Sequence, residues 1–146
     1  MIGVCKYMAY YECLSNNDHI NNGDKFTVTL TGSHNITTTA TVCYIDKTTV
    51  CLLGDTSLVT TNWHTQCTYA WNYSVNINNK EYTGTCRIPT IDQISYKCAG
   101  YRRDFTYWTS SLFDIYTSYD VRPEGSVHSD SYNLTNGTLP FFEITL

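Results

Sequence analysis

The chain reads as an all-β protein, an antiparallel β-sandwich stapled by disulfides, and three observations lead there. Apolar residues recur with a period of two, the spacing of a strand with one dry and one wet face. Only four alanines occur among 146 residues, Thr is abundant, and no window repeats its apolar positions at three and four, which leaves helix without support. Seven cysteines, Cys5, Cys13, Cys43, Cys51, Cys67, Cys86 and Cys98, contain no C-x-x-C pair, so a disulfide framework in an oxidising compartment is expected over a metal or redox motif.

The strands follow in order. Phe26 to Leu30 and Ala40 to Tyr44 alternate. The longest alternation runs Cys67, Tyr69, Trp71, Tyr73, Val75, Ile77, with Asn72 and Ser74 on its wet side. Asn78-Asn79 supplies a hairpin turn and Tyr82 to Cys86 the returning strand. Phe113 to Val121 reads as a further strand. Asn16-Asn17, Asn21 to Asp24 and Pro123 to Ser126 read as loops. One sandwich domain over residues 1–111 is expected, with 112–146 a strand-rich extension or connecting segment of it. Residues 1–4 and 141–146 look like strands cut mid-element, no secretion signal follows Met1, and the chain therefore reads as excised from a longer precursor.

Charge and motifs narrow the function. A net charge of −4 and scattered basic residues argue against nucleic acid. No apolar run approaches the roughly 20 residues of a membrane helix, so no membrane contact by this segment is expected. Four sequons lie at Asn35, Asn72, Asn133 and Asn136, where composition alone predicts about three. All four are candidate glycan acceptors, with Asn72 best placed on a wet strand face. His19, His34, His64 and His128 are scattered and outside any H-E-x-x-H pair. Glu12, Asp18 and Asp24 lack a calcium-loop pattern, and Gly54-Asp55-Thr56-Ser57 is a turn without a G-x-S-x-G nucleophile. No cofactor, no metal and no catalytic residue is expected. The aromatic content of 14% exceeds what one core needs and points to recognition. Asn62-Trp63-His64 and Tyr101-Arg102-Arg103 pair rings with donors, and an Arg fork suits a carboxylate such as that of sialic acid. These six residues are the candidate receptor- or glycan-binding residues.

Cys43-Tyr44-Ile45-Asp46-Lys47-Thr48-Thr49-Val50-Cys51, with Gly54 beyond, resembles a disulfide-bearing strand pair in the S1 N-terminal domain of coronavirus spikes, most nearly those of gammacoronaviruses. Tyr69 to Ile77 with the returning Cys86 is similar to a glycosylated hairpin of that domain, so the likeness spans roughly residues 25–90. Cys86 to Cys98, then Phe113-Asp114-Ile115 and Tyr119 to Pro123, resemble the segment leaving that domain in betacoronavirus spikes. The Cys5 to Cys13 spacing resembles coronavirus accessory proteins of immunoglobulin-like fold. The spike resemblance implies a galectin-like sandwich on the virion surface, part of a homotrimer made through the secretory pathway, that attaches to a host-cell glycan or protein receptor. The alternative is a secreted immunoglobulin-like modulator that captures a host signalling protein. Cys43 with Cys51, closing a hairpin, is the first pairing expected, and Cys86 with Cys98 the second. The seventh cysteine is free, paired outside the chain, or paired with a second copy.

Overall fold

Residues 20–146 are described by the structure, a computed structural model. The N-terminal strand piece, Cys5, Cys13, Glu12, Asn16-Asn17, Asp18 and His19 lie outside the described residues. Among the described residues, two sheets hold eleven strands. The larger runs in the order β11 (Phe141–Thr145), β3 (Thr49–Gly54), β2 (Ile36–Ile45), β1 (Lys25–Gly32), β5 (Trp71–Ile77), β6 (Lys80–Cys86). The smaller runs β4 (Thr60–Thr61), β10 (Asn136–Gly137), β7 (Tyr107–Leu112), β8 (Thr117–Val121), β9 (Val127–Ser131). Pairings are antiparallel apart from β10 on β7. The all-β, sandwich-like architecture expected from the alternation is present, and the segment 112–146 supplies strands to both sheets.

The larger sheet curls around its own core. Tyr73 of β5 and Phe142 of β11 are four strand intervals apart, about 19 Å in a flat sheet, yet their ring centroids are 5.3 Å apart. The ends of the curl meet where Phe141 N–H donates to Arg87 O at 2.9 Å in an antiparallel bridge. Inside lie Val28, Leu30, Val42, Val50, Leu52, Trp71, Tyr73, Val75, Ile77, Phe142 and Ile144. Each is an alternate position of its strand, which is why the period of two is so clean here. A second cluster, built from Cys43, Cys51, Leu53 and Phe141 on the outside of the curl and Ile94, Cys98, Tyr107, Val121 and Leu139 opposite, joins the two layers. Residues 50–53 of β3 are consequently all buried, serving both clusters.

Turn chemistry sets the registers. Asn78 and Asn79 both have positive φ, 53° and 66°, the conformation a two-residue primed turn demands and Asn tolerates. Asp46 accepts from the amides of Thr48 and Thr49 at 2.9 and 2.8 Å. Asp114 does the same for Tyr116 and Thr117, both at 2.8 Å. The strand expected over Phe113 to Val121 is therefore only β8, from Thr117 to Val121, and residues 113–116 form the tip that joins it to β7.

Helix, unsupported by the sequence reading, occurs twice among the described residues. The one-turn α1 spans Trp63–Gln66 and α2 spans Ile91–Lys97. The capping box of α2 is complete: Thr90 Oγ1 accepts from Gln93 N at 3.1 Å and Gln93 Oε1 from Thr90 N at 2.9 Å, which supplies the helix start with partners that its short length could not. The proposed strand over Cys67 to Ile77 begins only at Trp71, because Cys67 caps α1 and Thr68 and Tyr69 continue its turn.

Candidate functional site

Of the six residues singled out by the pairing of rings with donors, four are committed to the fold. Asn62 caps α1, accepting from Thr65 N at 2.9 Å. Trp63 is buried, donates from Nε1 to Thr109 O at 2.8 Å, and stacks on Tyr132 with centroids 5.0 Å apart. Tyr101 donates from its hydroxyl to Val42 O at 2.7 Å. Arg103 donates to Gly54 O at 3.0 Å and Leu53 O at 3.2 Å and pairs with Asp55 at 3.3 Å. A guanidinium so occupied presents no fork to a ligand carboxylate. Burial would raise the Asp55 carboxyl, but the Thr41 hydroxyl and the Lys25 ammonium outweigh it and hold the group below its usual range. Only His64 and Arg102 remain exposed. The two triplets are not brought together, since the first leans on β7 and Tyr132 and the second on β2 and β3.

The sequons divide likewise. Asn35, Asn72 and Asn133 are exposed. Asn136 is half-buried, and its Nδ2, the atom a glycan would occupy, donates to Asp120 Oδ2 and Asp130 Oδ2, both at 3.2 Å. A glycan on that nitrogen would displace one of the two hydrogen bonds, so in this structure Asn136 serves as a structural amide.

Neither expected pairing, Cys43 with Cys51 or Cys86 with Cys98, is formed in this structure. The five described cysteines are free thiols in this structure. Cys43 is the extra residue of a bulge between the pairs Val42 with Leu52 and Tyr44 with Cys51. Its Sγ donates to Cys51 O at 3.5 Å. Cys86 belongs to the core inside the curl and Cys98 to the core between the layers, so those two serve different clusters. Burial lifts the Cys51 and Cys86 thiols to about 12 and raises Cys67 as well, leaving them protonated and unreactive at neutral pH.

What the fold does build is a cavity of about 600 Å³ beside the seam of the curl. Asn72, Thr85, Arg87 and Glu143 come from the outer face of the larger sheet, Gln66, Cys67 and Tyr69 from α1 and its exit, and Thr90, Gln93 and Ser110 from the facing layer. Arg87 is exposed and spends one nitrogen on Tyr69 O at 3.3 Å. The strand register makes this site: Asn72 pairs with Thr85, and Arg87 bridges to Phe141, so the polar outward residues of three strands converge at one place. No sequence signal marked Arg87 or Glu143, because what makes them neighbours is the closing of a sheet by residues far apart in the chain.

A second surface is the β7–β8 tip, where Leu112, Phe113, Ile115 and Tyr116 are between 54% and 76% exposed around the turn fixed by Asp114. Among the described residues no group of three or more His, Cys, Asp and Glu is placed to hold a metal ion, and no helix is long and apolar enough to cross a membrane. No protein-family model, no curated protein and no solved structure matches the chain.

Proposed function

We propose that the chain is an attachment domain of a viral surface glycoprotein, displayed on the virion as part of a trimeric spike, that binds acidic glycans of the host cell in the seam cavity. The observation that carries the reading is the lining of that cavity. Arg87 and Glu143 line it together with the hydroxyl and amide side chains of Asn72, Thr85, Thr90, Gln93 and Ser110, and with Tyr69. This is the mixture a sugar needs: a guanidinium for a carboxylate, acceptors and donors for hydroxyls, and a ring for an apolar sugar face. The likeness to spike N-terminal domains and the exposed sequons support the extracellular, virion-surface setting. The chemistry is adhesion without turnover, and repetition on a trimer multiplies a weak single-site affinity.

The test is binding of the secreted chain, clustered on a multivalent carrier, to host cells before and after sialidase, for the native protein and Arg87→Ala. Loss of binding after sialidase and a fall of tenfold or more in Arg87→Ala are expected. Binding that survives both treatments overturns the cavity as the site.

The exposed tip favours a second reading, capture of a host protein by a secreted modulator. Four large exposed side chains around a turn hydrogen-bonded by Asp114 suit a protein groove better than a sugar. Serine at Phe113 and Ile115 abolishes binding in that reading and leaves it unchanged in the first.

A further inference from the structure

Three of the five described cysteines, Cys43, Cys51 and Cys98, share the cluster between the two layers. Cys43 comes from β2 of the larger sheet, and Cys98 is the C-terminal cap of α2. Two independent contacts bracket them. Lys97, the residue before Cys98, lies with Nζ 3.7 Å from the ring centroid of Tyr44, the residue after Cys43. Tyr101, at the exit of the same helix, donates to the carbonyl of Val42, the residue before Cys43, at 2.7 Å. These contacts hold the two chain segments against each other, and both cysteines are buried members of the same interlayer cluster. The bulge at residue 43 is what directs this side chain into the interlayer cluster, since an added residue re-aims its strand locally. Cys51, directly across the bulge, offers Cys43 its carbonyl oxygen.

We propose that Cys43 and Cys98 are the dithiol that closes into a disulfide joining the two layers, with a small-molecule disulfide such as oxidised glutathione as the oxidant. The step balances as an exchange. One Sγ–Sγ bond forms in the protein, the S–S bond of the oxidant breaks, two electrons pass to the oxidant, and the two thiol protons end on the two small thiols released. Cys43 is 7% and Cys98 2% exposed, so closure belongs to folding, before the layers seal and exclude the oxidant. Once formed, the bond spans a long chain segment from β2 to the end of α2, where a link from Cys43 to Cys51 would span one hairpin. A link that closes the longer loop constrains the unfolded chain more. Neither the attachment reading nor the cavity enters this inference.

Tryptic cleavage separates the candidates. Cys43 lies in the peptide 26–47, Cys51 with Cys67 in 48–80, Cys86 in 81–87 and Cys98 in 98–102. The secreted chain is denatured without reductant in the presence of a thiol-blocking reagent, deglycosylated, digested and mapped by mass. The expected result is peptide 26–47 joined to 98–102 and resolved into the two on reduction. Peptide 26–47 joined to any other peptide, or recovery of Cys43 and Cys98 as blocked thiols, overturns the proposal.

Discussion

The two sheets solve the problem of burial in different ways. Inside the curl of the larger sheet every buried strand position is apolar or aromatic, and polar groups are left to the outer face. The smaller sheet buries Thr109, Ser118 and Asp120 and answers them with hydrogen bonds. Thr109 donates to Tyr119 O at 2.9 Å and Ser118 to Ser111 O at 2.8 Å. Asp120, fully buried, meets Arg122 at 3.4 Å, while the same guanidinium reaches Asp130 at 3.1 Å and the Asn136 amide serves both carboxylates. One layer is thus held chiefly by area removed from water. The other is held by a network whose members must each find a partner, and it inherits their titration.

Removing bulk from the curl has the largest expected effect. Trp71 is fully buried there and donates from Nε1 to His34 Nδ1 at 3.1 Å. Trp71→Ala is expected to cost about 3–5 kcal/mol, the usual loss for a deleted core indole, read from urea denaturation. A loss below about 1.5 kcal/mol would mean that the curl refills its interior, and the contrast between the layers would weaken.

Titration is the next largest lever, and above the ordinary carboxylate range it should act through the smaller sheet, since Asp55 and Asp46 beside the larger one are shifted downward. Burial, then the hydrogen bond and charge of Asp130, raise the Asp120 carboxyl to about 7. Burial would raise Asp130 too, but hydrogen bonds from Asp120 and Asn136 outweigh it and hold that group below its usual 3.8. The folded state therefore binds the Asp120 proton more tightly than the unfolded chain does. The stabilisation is complete below the ordinary value near 3.8 and is lost as pH rises through about 7. Asp130 has the opposite sign, and its contribution is lost only as pH falls below 3.8. Between pH 4 and 7 the Asp120 effect stands apart. Tm is expected to rise as pH is lowered from 8 to 5, and Asp120→Asn, which mimics the protonated acid, should flatten the profile. An unchanged slope in the variant would remove the network as its cause.

The same contrast explains what was legible in the sequence. The curl could be read because one face of each strand is dry, and Phe26 to Leu30, Trp71 to Ile77 and the Asn78-Asn79 turn fall where the alternation placed them. The smaller sheet interrupts that signal with buried polar residues and short strands, so Phe113 to Val121 was taken for one strand and β9 and β10 left no trace. The six binding candidates were chosen for their chemistry without knowledge of their partners. Arg103 and Trp63 carry the right groups, but backbone carbonyls that no sequence displays already occupy them. The cavity depends on a seam between residues 87 and 141, a contact that local spacing does not encode.

Arg103 links the layers from a position after α2 to the end of β3, and its loss should fall between the two mechanisms. Arg103→Ala takes the guanidinium from Leu53 O, Gly54 O and Asp55, of which Asp55 keeps Thr41 and Lys25, and about 2 kcal/mol of stability is expected to go with it. Arg103→Lys should recover only part, because one ammonium does not span three acceptors in the geometry of a guanidinium. Full recovery in chemical denaturation would make the contact one of charge alone.

The smallest effect is expected at the element the sequence reading overlooked. Thr90-x-x-Gln93 is a capping-box spacing, visible in the sequence but without the apolar periodicity that usually accompanies it, since a helix of two turns packs through little more than Ile94 and Cys98. So short a helix holds its shape through its cap and its cover of the interlayer core, not through propensity. Thr90→Ala removes the acceptor for Gln93 N and is expected to cost about 1 kcal/mol, while Thr90→Ser should cost far less. Hydrogen exchange locates the loss: the α2 amides should exchange faster while those of the curl keep their protection. Acceleration in both layers would show that α2 is bound into one cooperative unit with the larger sheet, and that the two modes of burial do not correspond to two separable stabilities.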